Sequence, residues 1–242
     1  MTTLIIADIH ANAAALAALP AADQIICAGD IVTFGVEPNE CIDWLRRRSA
    51  MCIRGEEDDA VAHGVAHALP ERLTAAGIES RSWTRSELTP SNLAWLTSLP
   101  PEIHVAMDGY RSGVVHAYPG DYNRYLRPTD EELERMTRAF PLADLVVSAH
   151  THRQGSWHCC GRLVVNPGSV GQNSLHGHAS YVLFERGKIA FGASRYDVGV
   201  TVESIRHSSL PHSVQDACIR ELTEGSLRPS SRLPWPVHQV PA

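Results

Sequence analysis

At 242 residues, the chain is long enough to bury a substantial core as one large domain or two small ones. A formal net charge of −6 argues against a nucleic-acid binder, which normally shows a basic face. No apolar run approaches the ~20 residues needed to cross a bilayer, so neither nucleic acid nor membrane is expected as a partner. The six cysteines show no metal-ribbon spacing, and Cys27 and Cys52 lie inside apolar runs, which predicts reduced, structural thiols. Leu4-Ile5-Ile6-Ala7 is interrupted at once by Asp8, too short for a signal peptide, so a soluble cytoplasmic protein is expected.

In chain order, a strand at about 3–7 leads into an Ala-rich helix, Asn12 to Leu19, that Pro20 follows. A second strand at about 24–28 passes through a glycine-containing loop to a helix opened by Pro38 and running to about Arg48, and Met51-Cys52-Ile53 is a third strand. This rhythm argues for a sheet with helices packed on it. Residues 60–99 read as a helical, cap-like segment without metal-ligand pattern. Within it, Thr89 and Pro90 open an amphipathic helix. Trp83 and Trp95 read as core packing or as parts of a lid. Strands return at Glu102–Met107, Arg111–Ala117, Leu145–Ser148, Leu163–Asn166, Ser180–Glu185 and Lys188–Ala193, with a helix near 129–139 and a last helical segment over 200–224 broken at Pro211. The expected organisation is two facing sheets with helices outside in one domain over 1–225, and a loose tail over 226–242 rich in Pro and Ser.

Four histidines and two aspartates stand just after short apolar runs: Asp8 and His10, Asp30, His116, then His150 and His152. Carboxylate oxygen and imidazole nitrogen suit Mn, Fe, Zn or Ni, and the C-terminal ends of strands are where α/β sheets commonly place ligands. The set reads as the shell of a site for two divalent cations, with Mn the leading choice. Alternation within Asp8-Ile9-His10 and His150-Thr151-His152 predicts that both ligands of each pair lie on one side of an extended segment. His63, His67 and His207 read as ordinary histidines.

Taken in order, Asp8-Ile9-His10, Gly29-Asp30-Ile31-Val32-Thr33-Phe34-Gly35, Arg54-Gly55-Glu56-Glu57-Asp58, His116 and Ala149-His150-Thr151-His152 resemble the calcineurin-like metallophosphoesterases, and within them the small bacterial and archaeal predicted phosphodiesterases. The stretches Val36 to Glu40, Trp83 to Pro100, His116 to Asp121, Asn166 to Gln172 and Arg195 to Asp197 carry the same likeness. The resemblance implies a four-layer αββα sandwich with a dinuclear metal site between its sheets. It also implies that Asp8, His10 and His152 hold one ion, that His116 and His150 hold the other, and that Asp30 bridges. In such a site the ions polarise phosphoryl oxygens and acidify the water that attacks phosphorus.

The departure is at Gly55-Glu56-Glu57-Asp58, where the family pattern is Gly-Asn-His-Asp or Gly-Asn-His-Glu. Glu56 stands where an Asn ligates the second ion, and a carboxylate is a competent replacement. Glu57 stands where a His stabilises phosphoryl charge and is thought to protonate the leaving group. An ionised Glu57 is a poor proton donor and is expected to repel a phosphate oxygen. Glu57 and Asp58 are the candidate catalytic residues, and the alternative is that Glu56 to Asp59 is a solvated acidic run. Arg54, Tyr118, Arg124 and Arg195 are candidates for substrate contact or for surface packing.

The function expected is a metal-dependent phosphoesterase acting on a small phosphorylated substrate: a phosphodiester, nucleotide or phosphoanhydride. The alternative is a catalytically weak, metal-bound protein that binds a phosphorylated ligand or a partner.

Overall fold

The computed structural model describes residues 1–69, 71–173 and 175–224, so the expected tail over 226–242 lies outside the described residues. The elements run β1 (Thr3–Ile6), α1 (Ala13–Ala17), β2 (Gln24–Cys27), α2 (Pro38–Arg47), β3 (Met51–Cys52) and α3 (Glu56–His63). Then come α4 (Thr74–Glu87), α5 (Pro90–Ser98), β4 (Glu102–Met107), β5 (Tyr110–Val115), α6 (Asp130–Ala139) and β6 (Leu145–Ser148). The chain continues through β7 (Gln154–Cys159), β8 (Arg162–Pro167), β9 (His178–Glu185), β10 (Lys188–Arg195), α7 (Val198–His207) and α8 (His212–Glu224).

Two mixed sheets result, in the orders β10-β9-β1-β2-β3 and β4-β5-β6-β8-β7. In the first, β1, β2 and β3 are parallel and β9 runs antiparallel beside β1. In the second, β5, β6 and β8 are parallel, with β4 and β7 antiparallel at the edges. The period of two along β1 assigns each residue to a layer. Ile5 and Ala7 join Val114, Val147 and Val165 in the core between the sheets. Leu4 and Ile6 join Leu16, Ile42, Leu45 and Leu96 beneath the helices on the opposite face. The outer face of the second sheet is covered through Leu133, Met136 and Phe140 of α6 and its C-terminal end. The layers are therefore helix, sheet, sheet, helix, the αββα order expected.

The sequence pattern misses β7 because Gln154-Gly155-Ser156-Trp157-His158-Cys159 has no apolar alternation; it lies at the edge of its sheet, paired with β8. It also misses where α3 begins. Glu56 opens that helix after the short Ile53-Arg54-Gly55 link from β3, and four acidic residues in its first turn suit the positive end of the helix dipole. Both tryptophans of the cap-like segment are packed. Trp83 lies against the cluster of Phe34, Leu73 and Leu210 with its indole N–H donated to Ser209 Oγ at 2.8 Å, and Trp95 lies against the helix-facing core.

Candidate metal centre

All the acidic and histidine positions expected to hold metal converge at the C-terminal ends of β1, β2, β5 and β6 and the first residue of α3. They form two buried groups, Asp8 with His10 and His152, and Asp30 with Glu56, His116 and His150. Within each group one ligand atom per residue lies within 4.8 Å of every other. Asp30 Oδ2 stands 3.9 Å from His10 Nε2 and 3.5 Å from His116 Nε2, so it faces one imidazole of each group.

The backbone that presents these side chains is turned, not extended. Asp8, His10, Asp30, His150 and His152 all have positive φ, at 54°, 49°, 54°, 64° and 58°. Side chains other than glycine are rare in this region, and such strain gathers where function fixes the geometry. The extended-segment expectation is therefore corrected, and the turn between His150 and His152 sends the two to different groups. The loops lock onto one another, with the Asp8 amide donating to the Gly29 carbonyl at 2.9 Å and the His10 amide to the Asp30 carbonyl at 3.0 Å. Gly55 is required here, because a Cβ on it would lie 2.2 Å from Asp30 Oδ1.

Hydrogen bonds from the far ring nitrogens orient the imidazoles. His116 Nδ1 lies 2.6 Å from the Ala28 carbonyl and His152 Nδ1 3.1 Å from the Gln172 carbonyl. A carbonyl only accepts, so each Nδ1 carries the proton and each Nε2 is the ligand nitrogen. The His150 ring stacks on Tyr125, centroids 4.2 Å apart. Asn166 Nδ2 donates to the Ala149 carbonyl at 2.7 Å and to Thr151 Oγ1 at 3.0 Å, bracing the turn between the two histidines. Ser169 Oγ donates to the Asp8 carbonyl at 2.8 Å. Sequence reasoning assigned Asn166 and Ser169 no part in the site; their signal was the family likeness of the Asn166 to Gln172 stretch.

The solvated-run reading of Glu56 to Asp59 is overturned, since these residues are 4, 2, 0 and 7 % exposed. Glu56 places Oε2 at 2.7 Å from His116 Nε2 and Oε1 at 2.7 Å from His150 Nδ1. Glu57 belongs to neither group. Its carboxylate accepts from Thr33 Oγ1 at 3.0 Å and is gripped by Arg81 through Nε at 2.9 Å and Nη2 at 2.7 Å. The expectation of a bare negative charge facing the substrate is thereby corrected: Arg81 neutralises it, a partner that sequence reasoning missed because it lies on α4, far along the chain. Asp58 is also outside both groups. Its Oδ1 accepts the amides of Ile31 and Val32 and its Oδ2 that of Gly55, so it braces the Asp30 loop against α3. Arg54 pairs with Asp59 at 2.9 Å, while Arg124 pairs with Glu132 at 2.8 Å and lies over the Tyr118 ring.

Electrostatics agree with a cation-holding role. Burial and the neighbouring Glu56 push the Asp30 carboxyl well above the usual range. Burial works the same way on Asp8 and Glu56, but imidazoles outweigh it: His152 foremost holds Asp8 at about 2, and His150 and His116 hold Glu56 well below the usual range. Burial opposes protonation of His116, yet Asp30 and Glu56 raise it well above the usual value. Three buried carboxylates thus demand positive charge, and the Arg81 guanidinium that acts on Asp30 and Glu56 is already bound to Glu57. Asp8 Oδ2 and Asp30 Oδ2 are buried and accept no hydrogen bond, and the facing ring nitrogens of His10 and His152 lie 3.1 Å apart. Ligand atoms of one ion with bonds of about 2.1 Å take similar spacings. The donor set fits divalent cations.

Comparison with known proteins agrees with this geometry. The chain is 28 % identical over 233 residues to an uncharacterised protein of Methanocaldococcus jannaschii, covering 86 % of this chain and 93 % of that protein. A metallophosphoesterase from Sphaerobacter thermophilus superposes with a TM-score of 0.72 at 27 % identity, covering 91 % of this chain and 99 % of that one. A hypothetical protein of Pyrococcus horikoshii shares the fold, with a TM-score of 0.78 at 19 % identity over 90 % of this chain and 97 % of that one. The family model for the calcineurin-like phosphoesterase superfamily domain matches residues 1–188, a span that includes every Asp, Glu and His of the centre. With sequence, fold and buried donor set in agreement, the chain belongs to the calcineurin-like phosphoesterase superfamily.

Proposed function

We propose that the protein is a metal-dependent phosphoesterase that hydrolyses phosphodiesters, nucleotides or phosphoanhydrides having a good leaving group. The observation that carries this reading is the pairing of two groups, each with two imidazoles and one carboxylate of its own, across a shared Asp30. Divalent cations bound there would supply Lewis acidity toward a phosphoryl oxygen and an ionised water at neutral pH. His10 and His152 with Asp8 would hold one, and His116 and His150 with Glu56 the other. Asp30 would face both, with the carbonyls of Ala28 and Gln172 orienting the His116 and His152 rings and Asn166 bracing the turn that carries His150 and His152. The mixed oxygen and nitrogen donors suit manganese, iron, zinc or nickel alike, and manganese is the ion chosen for the tests.

A second reading has its own support. Glu57, in the place of the family's histidine, is spent on Thr33 and Arg81 and supplies no proton, which favours a weak catalyst that retains phosphorylated ligands. Turnover of bis-p-nitrophenyl phosphate by protein reconstituted with Mn²⁺, beside Asp30→Asn, separates the two. Turnover lost in the variant supports the enzyme; a wild-type protein inert toward aryl diesters, monoesters and dinucleoside polyphosphates leaves the binder. Cytoplasmic residence is part of the proposal, supported by six free cysteines. Among the described residues no helix is long and apolar enough to cross a membrane.

A further inference from the structure

Helix α4 contributes no residue to either ligand group, yet it grips the elements that carry them. Ser80 Oγ accepts the Phe34 amide at 2.9 Å, and the Phe34 ring lies edge-on to His10 with centroids 5.6 Å apart. Arg85 donates to the carbonyls of Val61 and Ala62 at the C-terminal end of α3. At the other end of α3, Arg81 holds Glu57 through two nitrogens, and its Nη1 donates to the His67 carbonyl at 3.1 Å. The Arg81 and Glu57 side chains are 10 % and 3 % exposed, so this is a buried, bidentate ion pair.

Glu57 follows Glu56 directly, and its amide donates to Asp30 Oδ1 at 3.0 Å. A carboxylate in that position is a hard oxygen ligand; without Arg81 it would keep the Thr33 hydroxyl but be left an uncompensated buried charge, which coordination to a cation in the adjoining centre relieves. We propose that Arg81 is a positioning residue that holds the Glu57 carboxylate out of the metal centre and so keeps the centre accessible to an incoming phosphoryl group. The phosphoesterase reading enters only through the identity of that group.

The test is calorimetric titration of the full chain, first with Mn²⁺ and then, Mn²⁺-loaded, with inorganic phosphate. Arg81→Met frees Glu57 to ligate, so Mn²⁺ binds more tightly and phosphate more weakly, each on the scale of about 10–100-fold that outer-shell changes produce. Glu57→Gln with Arg81→Met removes both charges and returns both affinities to near wild type. A purely structural role would lower the melting temperature and leave the affinities of the folded protein alone. Arg81→Lys keeps a cation without the two-point grip and carries the same test if Arg81→Met does not fold, with smaller shifts in the same directions. Wild-type affinities in these single variants, a double variant as impaired as the single one, or a wild-type protein that takes Mn²⁺ but no phosphate would overturn the proposal. Hydrolysis plays no part in these measurements, so the phosphoesterase reading fails separately, through absence of turnover in a protein that shows these affinities.

Discussion

The backbone amide of Glu57 donates to Asp30 Oδ1 at 3.0 Å, which commits one oxygen of Asp30 to the start of α3 and leaves Oδ2 turned toward His10 and His116. An aspartate held at one oxygen and bare at the other is suited to sharing that oxygen between two cations, and the position of Gly55 against Asp30 Oδ1 admits no side chain that would disturb it.

Asp30→Asn therefore weakens both ion sites, because the amide nitrogen cannot replace a shared carboxylate oxygen, while His152→Ala removes a ligand from one group only. Metal analysis after equilibrium dialysis should find a greater loss in Asp30→Asn than in His152→Ala. Two ions per chain retained in Asp30→Asn would rule out the bridging assignment.

Asn166→Ala tests the brace behind His150 and His152. Its Nδ2 serves the Ala149 carbonyl and Thr151, and its Oδ1 accepts the Gly168 amide at 2.9 Å. Loss leaves buried groups unsatisfied at ~1–3 kcal/mol each and loosens a turn in which both histidines sit at positive φ. A lower melting temperature with metal affinity reduced ~10–100-fold is expected. Thermal unfolding with and without Mn²⁺ reads both, and an unchanged metal-induced stabilisation would show that the turn holds its shape alone.

Without a proton donor at position 57, departure depends on a leaving group already stable as an anion. Nitrophenyl esters and phosphoanhydrides should be cleaved far faster than alkyl esters. The check is the slope of log kcat/KM against leaving-group pKa across a series of aryl and alkyl phosphodiesters. A flat dependence would show that another group supplies the proton.

The ligand positions were legible because strand ends announce themselves: an apolar run such as Leu145 to Ala149 that stops at a histidine is a local signal. The local conformation was not. Period-two alternation in Asp8-Ile9-His10 reads as extended chain, and only the pairing of the 8–11 loop with the 29–31 loop forces the left-handed turns. Partners across layers carried no local mark either. Nothing near Arg81 in sequence points to Glu57, since the pair exists only because α4 packs along α3. Asn166 likewise acts on Ala149 and Thr151 from the end of a neighbouring strand, a relation set by the β6–β8 pairing.

The last prediction concerns restoring a proton donor. In the sequence alone, Glu57→His installs the missing imidazole and should by itself accelerate poor leaving groups. The structure changes that expectation, because the same substitution strips Arg81 of its bidentate partner in a buried site, and breaking such a pair by removing one member costs about 3–5 kcal/mol. Glu57→His should therefore melt at lower temperature with little gain in rate. Glu57→His with Arg81→Met removes the orphaned cation and should recover the stability; adding Glu56→Asn then takes a further negative charge from the centre and mainly changes metal affinity. With the acid in place, general-acid catalysis is worth ~10²–10⁴-fold, concentrated on alkyl esters, where the leaving group needs the proton most. The comparison is kcat/KM for an alkyl and an aryl phosphodiester under saturating Mn²⁺ in the wild type and these three variants. If the stable double variant keeps its metals and gains nothing on the alkyl ester, proton donation at position 57 is not what limits this enzyme, and Glu57 with Arg81 is an adaptation to a substrate that brings its own good leaving group.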